Sequence, residues 1–123
     1  MKCKHDIMMK KLLKAKLHRA TVTGASLHYE GSCGIDEALL EASGMCPNEY
    51  IEIYNVCNGE RFSTYIIPEP RGSGEITLNG AAARKALVSD LLIICTYALY
   101  SEAEFSAHKP VIVLLEPGNK MRT

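Results

Sequence analysis

The sequence has no tryptophan, only two phenylalanines and no long apolar run. A helix that spans a membrane needs about 20 consecutive apolar residues, so we expect no membrane partner. Near the N-terminus, Lys10 and Lys11 interrupt the apolar residues, which excludes the core of a secretory signal peptide. We therefore expect a cytoplasmic protein.

The cysteines form no recognisable framework. Their number is odd, they are scattered, and neither a C-x-x-C pair nor a histidine at metal-ligand spacing accompanies them. The pattern supports neither a disulfide scaffold nor a zinc site, so we expect no metal. We interpret the five as buried, small apolar thiols. They are Cys3, Cys33, Cys46, Cys57 and Cys95.

The net charge is zero, but it is unevenly distributed. Residues 1–19 contain seven lysines and arginines and a single acidic residue, Asp6, so this end carries +6 and the remainder −6. A nucleic-acid-binding arm is one interpretation of such an end. No aromatic residues are interleaved for stacking on bases, so we favour a solvated basic end and expect no nucleic-acid partner.

A chain of 123 residues is the size of one domain, and its pattern predicts a mainly β fold. The clearest signal is the hairpin "YIEIYNVCNGERFSTYII", in which Ile51 and Ile53 share a face around an Asn58-Gly59 turn. Asp36 is expected to cap a helix over "EALLEAS" that Gly44 ends. We predict six or seven strands and short helices, closed into a small barrel because closure removes exposed edges. The other predicted strands lie at 14–23, 27–30, around 76–78, 90–99 and 111–116, with short helical segments from Ala81 and within 101–109.

The stretch "LHYEGSCGID" places Gly31 directly before Ser32. Glycine before serine can be an ordinary turn, because glycine reaches backbone angles closed to other residues and serine caps helices. It can also mark a strained peptide bond that the neighbouring hydroxyl attacks. Asn79 and Gly80 begin a strand-to-helix turn whose backbone N–H groups could bind an anion.

Five segments decide between these interpretations. "KLHRATVT", "LHYEGSCGID", "NGERFSTY", "RGSGEITLNGAAA" and the apolar strand after Asp90 run from about Lys14 to Glu116. In this order and spacing they resemble the aspartate 1-decarboxylase family, pyruvoyl-dependent enzymes that make β-alanine for pantothenate and coenzyme A biosynthesis. The resemblance implies a double-psi β-barrel and a homotetramer with sites between subunits. The usual family start aligns with Met8, so residues 1–7 are interpreted as an extension of a single domain, 1–123.

The resemblance implies that the chain cleaves itself between Gly31 and Ser32. The Ser32 hydroxyl attacks the Gly31 carbonyl to form an ester, and elimination and hydrolysis then leave a covalent pyruvoyl group at residue 32 and release ammonia. The Thr64 hydroxyl is the family's candidate donor to the oxyanion. The pyruvoyl carbonyl takes the place of pyridoxal phosphate as electron sink. Whether maturation is spontaneous or needs a helper protein stays open.

The resemblance further implies decarboxylation of L-aspartate to β-alanine and CO₂. Tyr65 would reprotonate the α-carbon, and Arg61 would hold the retained carboxylate through its bidentate fork. Lys16 would add positive charge, although the carboxylate that each cation binds stays open. The other implied substrate-binding residues are Thr64, Asn79, Gly80, Ala81 and Ala82.

Several alternatives remain at this point. His18 is either a structural strand residue or a participant in maturation, and Cys33 is expected to pack rather than to act as a nucleophile. The chain could be a pyruvoyl decarboxylase for another amino acid, such as glutamate. It could also be an unprocessed, non-enzymatic barrel that only binds a partner.

Overall fold

The computed structural model describes residues 8–122, and the interpretation of residues 1–7 as an extension lies outside the described residues. Strands dominate, which confirms the prediction of a mainly β fold. The strands are β1 Met9–Thr21, β2 Gly24–Ser26, β3 Ser32–Asp36, β4 Tyr50–Asn55, β5 Arg61–Glu69, β6 Ile76–Asn79, β7 Leu91–Ser101, β8 Val111–Glu116 and β9 Lys120–Met121. The helices are α1 Glu37–Ser43, the 3-10 helix Gly80–Arg84 and α2 Glu102–Phe105.

The described residues form nine strands, so the predicted count of six or seven was wrong. Strands β2 and β9 have three and two residues, too few to show an alternating pattern in the sequence. The predicted strand at 27–30 is a turn. The strand lies just after it, as β3, and all five of its residues are buried. This strand was not recognised in the sequence because Ser32 and Asp36 are polar, and polar residues are unusual in a strand that is buried on both faces.

Helix α1 begins and ends where the sequence predicts. The Asp36 carboxylate accepts a hydrogen bond from the Ala38 N–H at 2.8 Å, which satisfies one of the free N–H groups of the first turn. Gly44 adopts a left-handed conformation with φ 77° and donates its N–H to the Leu40 carbonyl. Leu39 and Leu40 are buried, so the helix covers one end of the core.

The strands form one sheet in the order β2-β6-β3-β5-β4-β7-β1-β8-β9. Strand β2 follows β1 after only residues 22 and 23, although the two strands lie far apart in this order. The sheet must therefore curl back on itself, and two backbone bonds tie the junction. The Val22 N–H donates to the Asp90 carbonyl at 2.9 Å, and the Thr23 N–H donates to the Ile76 carbonyl at 2.8 Å.

The core is aliphatic and lies inside the curled sheet. It fills with side chains from alternate positions of the strands, as a period of two requires. The cysteines divide between core and surface. Cys33 and Cys95 are buried as predicted, but Cys46 and Cys57 are exposed because they lie in loops. Cys3 lies outside the described residues. Residues that are fully buried include Leu17, Ile35, Ile51, Ile53, Ile66, Ile76, Leu78, Leu92 and Ile94.

Candidate active site

Ser32 is the first residue of β3, between β5 and β6. It pairs with Asn79 across the antiparallel β3–β6 ladder, and its side chain is only 3% exposed. Its Oγ accepts a hydrogen bond from Asn79 Nδ2 at 3.0 Å and donates one to the Glu30 carbonyl at 3.4 Å. The hydroxyl is therefore held at a defined place, directly after the exposed Gly31.

Strand β5 supplies the other side of the site. It runs parallel to β3 with Cys33 opposite Ile66, and both of these side chains face the core. Extending this register by one residue places Tyr65 beside Ser32, the first residue of β3, and Thr64 precedes Tyr65 on β5. Successive side chains of a strand point to opposite faces, so Tyr65 shares the outer face with Ser32 whereas Thr64 lies on the core side.

The β4 partners of these two residues agree with that assignment. Thr64 pairs with the fully buried Ile51, and Tyr65 pairs with Tyr50, which is 60% exposed. Thr64 and Tyr65 therefore lie on opposite faces of β5.

An open cleft of about 460 Å³ lies on this outer face. The structure brings three predicted site residues together there, namely Ser32, Tyr65 and Asn79. Glu30 and Glu69 also line the cleft, and no lysine or arginine does so in the described part of the chain. In a single chain the cleft is therefore acidic. The described residues that line the cleft are Tyr29, Glu30, Ser32, Tyr65, Ile67, Glu69 and Asn79.

The predicted strand-to-helix turn at Asn79 and Gly80 is present, and it contacts the segment before Ser32. Gly80 has φ 68°, and a Cβ built on it would lie 2.7 Å from the Gly31 Cα and 2.9 Å from the Tyr29 carbonyl oxygen. Glycine is thus required twice, for its backbone angle and for its close approach. Of the two predicted substrate-binding alanines in this turn, Ala81 is exposed and Ala82 is buried.

Sequence reasoning missed Glu69. Its carboxylate accepts a hydrogen bond from Thr77 Oγ1 at 2.9 Å. Gly34 leaves the space for this pair, since a Cβ there would collide with both Thr77 Oγ1 and Glu69 Oε2. The alternation of β5 could have placed Glu69 on the face of Tyr65, because Glu69 lies four residues after it on the same strand.

The two predicted cations lie outside the cleft. Arg61 begins β5, four residues before Tyr65, which is about 13 Å along an extended strand. Lys16 lies on β1, opposite Cys95 of β7 and Ile112 of β8, three places from β5 in the sheet order. Within one chain, neither cation shares the cleft with Ser32.

His18 also lies on β1, between Ile93 of β7 and Leu114 of β8. Burial lowers the pKa of its imidazole, and the nearby positive charges of Lys16, Arg19 and Arg122 lower it further. Its buried Nδ1 has no hydrogen-bond partner. The ring is therefore neutral at pH 7, and it lies away from the cleft.

Cys33 packs in the core next to Ser32, as predicted. Burial, together with the negative charge of Glu69, raises the pKa of its thiol to about 12. A neutral thiol that faces the core does not compete with the Ser32 hydroxyl as a nucleophile. Residues 8–122 contain no cluster of histidine, cysteine and acidic side chains that could hold a metal ion, and none of their helices is long and apolar enough to cross a membrane.

Comparison with known proteins finds relatives of high sequence identity. The chain is 68% identical over 116 residues to the aspartate 1-decarboxylase of Methylibium petroleiphilum, covering 94% of this chain and 97% of that protein. It is 66% identical over 115 residues to the aspartate 1-decarboxylase of Ralstonia pickettii, covering 94% and 96%. The aspartate 1-decarboxylase of Bordetella pertussis is 64% identical over 115 residues, with 94% of each chain covered.

Among solved structures, the rationally designed mkDPBB_sym_86 protein matches 63% of this chain and 90% of its own. The TM-score is 0.47 at 15% identity, a likeness too distant to carry an argument. The profile of the family described as aspartate decarboxylase matches residues 8–122, which is nearly the whole sequence. The chain therefore belongs to the aspartate decarboxylase family.

Proposed function

We propose that this chain cleaves itself between Gly31 and Ser32 and then decarboxylates L-aspartate to β-alanine and CO₂. Membership of the aspartate decarboxylase family supports the reaction. The observation that supports the roles of individual residues is the position of the Ser32 hydroxyl, at the floor of a cleft that Tyr65 and Asn79 also line. The β-alanine formed would serve pantothenate biosynthesis.

The first step is an acyl shift within the chain. The Ser32 Oγ attacks the Gly31 carbonyl carbon, the Gly31–Ser32 C–N bond breaks, and the freed nitrogen takes up the hydroxyl proton. Asn79 holds the attacking oxygen, and the backbone of Gly80 packs against Gly31. Thr64, the residue before Tyr65 on β5, is our candidate donor to the oxyanion that forms.

The resulting ester then breaks by elimination. The Ser32 α-proton and the Cβ–Oγ bond are lost, which leaves a carboxylate on Gly31 and a dehydroalanine at residue 32. Hydrolysis with one water releases ammonia and leaves the pyruvoyl group. The protein that enters catalysis therefore consists of two chains, 1–31 and 32–123.

The surroundings of residue 32 are compatible with the proposed pyruvoyl group. The Ser32 Oγ would leave on the Gly31 carboxylate and the ketone oxygen would come from water, and the Asn79 amide beside residue 32 would remain as a donor to a carbonyl oxygen. The absence of a Cβ on Gly80 keeps the space beside residue 31 free. When formed, the group supplies an electron-withdrawing carbonyl to the substrate's amino nitrogen.

The chain's own residues bind the substrate and move the proton. Tyr65 points into the cleft beside residue 32, so its phenol can deliver a proton to the substrate's α-carbon. The N–H groups of Gly80, Ala81 and Ala82 follow the end of β6 and can bind a polar end of the substrate. Asn79 lines the cleft with Tyr65 and directly precedes Gly80 in the chain.

Charge indicates that the site needs a second copy of the chain. L-Aspartate carries two carboxylates, whereas the cleft of one chain contains Glu30 and Glu69 and no cation. Arg61 and Lys16 are available on other parts of the sheet. The family resemblance implies a homotetramer, and we infer that Arg61 and Lys16 of a neighbouring copy complete the cleft.

Complementation tests this arrangement. Ser32→Ala and Arg61→Ala should each be inactive alone, but co-expression should restore part of the activity, because some sites would combine an intact Ser32 with an intact Arg61. The matched control pairs Ser32→Ala with Tyr65→Phe, which lie in one cleft and should not complement. Restoration by the control pair, or by neither pair, would contradict shared sites.

Substrate choice is tested by comparing L-aspartate with L-glutamate on the purified, cleaved protein. We expect aspartate to react with the higher kcat/KM, and a higher value for glutamate would favour the alternative decarboxylase. A protein that stays intact in isolation and is cleaved after addition of cell extract would instead need a maturation helper. The free cysteines suit the reducing cytoplasm, where we place the reaction.

A further inference from the structure

Arg61 lies against an aromatic side chain. It pairs with Tyr54 across the β4–β5 hairpin, and its guanidinium carbon is 4.3 Å from the centre of the Tyr54 ring. This is a cation–π geometry, for which arginine is well suited. Arg61 forms no ion pair with any carboxylate among residues 8–122. The stacked face of the guanidinium is therefore occupied, whereas its N–H edges are free for an incoming carboxylate.

The Tyr54 ring is held in turn by a second tyrosine. The hydroxyls of Tyr54 and Tyr97 are 2.7 Å apart, a short hydrogen bond in which either could be the donor. Tyr97 lies on β7, the strand next to β4, and both rings are half-buried. The Lys11 side chain lies over the Tyr97 ring, with its Nζ 5.6 Å from the ring centre.

We propose that Tyr54 and Tyr97 are positioning residues that hold the Arg61 guanidinium ready for the substrate carboxylate. The inference rests on the proposed function, because Arg61 is the carboxylate anchor there. Arginine loses rotamer freedom when it binds an anion in a fixed geometry. A guanidinium already stacked on a fixed ring loses less, so the pair should lower KM for aspartate. Within one chain neither tyrosine lines the cleft or bonds to Ser32, so we expect chain cleavage and kcat not to depend on them.

The test compares Tyr54→Phe, Tyr97→Phe and the double variant, all as fully cleaved protein. Each single variant keeps its ring and loses the one hydroxyl contact. We expect KM for L-aspartate to rise about threefold to tenfold in each, the effect of one hydrogen bond, with kcat within about twofold. The double variant should match the worse single variant, because both remove the same bond.

Tyr100→Phe is the matched control. It also lies on β7, but its ring packs on His108 with the ring centres 4.2 Å apart. Its kinetic constants should equal those of the wild type. An unchanged KM in Tyr97→Phe, or single effects that multiply in the double variant, would overturn the inference.

A binding measurement separates this inference from the proposed function. Succinate, a dicarboxylate without an amino group, should bind uncleaved Ser32→Ala protein, and Tyr97→Phe in that background should weaken its binding threefold to tenfold. If the wild-type protein cleaves itself and decarboxylates aspartate but Tyr97→Phe leaves succinate binding unchanged, this inference is contradicted and the proposed function is not. Wild-type protein without activity would remove the proposed function.

Discussion

Asn79 donates its side-chain amide to the hydroxyl of Ser32 across the β3–β6 ladder, at 3.0 Å. The same hydroxyl can then point its proton only towards its remaining partner, the Glu30 carbonyl. A serine that begins a buried strand is thereby held with its oxygen next to the peptide bond that it would attack. The fold contributes this restriction before any chemistry occurs.

Replacing Asn79 with alanine should slow chain cleavage by about threefold to tenfold, because one hydrogen bond that orients the Ser32 oxygen is lost. The rate can be followed by gel electrophoresis of freshly synthesised protein. Asn58→Ala is the control, since it loses a side-chain bond to the Lys85 carbonyl outside the cleft. Equal cleavage rates in the two variants would remove Asn79 from the maturation step.

Gly80→Ala should block most chain cleavage. Its φ of 68° strains any other residue, and its Cβ would collide with the Gly31 Cα. Gly44→Ala separates these two effects, because Gly44 has φ 77° and open space around it. That control should lose about 1 kcal/mol of unfolding free energy and still be cleaved. If both variants are cleaved normally, the approach of Gly80 to Gly31 has no role in maturation.

Thr64 and Tyr65 should show separate defects. Tyr65→Phe should still be cleaved but should lose about 10²-fold to 10⁴-fold in kcat, the usual contribution of a general acid. Thr64→Val should be cleaved about 10²-fold more slowly, as expected for loss of an oxyanion donor. The assay pairs a cleavage gel with measurement of β-alanine. If Tyr65→Phe blocks cleavage and Thr64→Val does not, the two roles must be exchanged.

The sequence predicted helix α1, the central hairpin and three residues that line the cleft, Ser32, Tyr65 and Asn79, because capping residues, alternation and the family motifs are local signals. Strand β3 was missed, since its burial depends on β5 and β6 on either side. Glu69 was missed because its importance comes from the Thr77 hydroxyl, eight residues further along the chain. The separation of Arg61 from the cleft is likewise a property of the folded sheet.

Asp36 makes a testable contribution to stability. Burial alone would raise the pKa of its carboxyl, but N–H groups of Gly74, Gly72 and Ala38 and the charge of Arg71 together lower it. A folded-state pKa below the unfolded value stabilises the fold above the usual pKa of 3.8, and this contribution is lost as pH falls through the lowered folded value. The carboxylate therefore stabilises the protein at pH 7.

Asp36→Asn should lower the unfolding free energy at pH 7 by about 1.5–3 kcal/mol, the range for hydrogen bonds to a charged group. The difference from the wild type should shrink as pH falls below about 4, where the wild-type carboxylate becomes protonated. Urea unfolding at a fixed protein concentration measures the loss of unfolding free energy and its dependence on pH. Glu60→Gln, which breaks only the exposed pair with Lys85, should change little at any pH. A pH-independent loss in Asp36→Asn would contradict the role of its charge.

Intact-mass analysis of the purified protein, combined with labelling by a carbonyl-reactive hydroxylamine, tests the central claim most directly. We predict two chains for the wild type, one that ends at Gly31 and one that comprises residues 32–123 and takes up the label at its first residue. Ser32→Ala, purified in parallel, should remain a single unlabelled chain without activity. A wild-type protein that decarboxylates aspartate as one intact, unlabelled chain, or an active Ser32→Ala variant, would contradict the account.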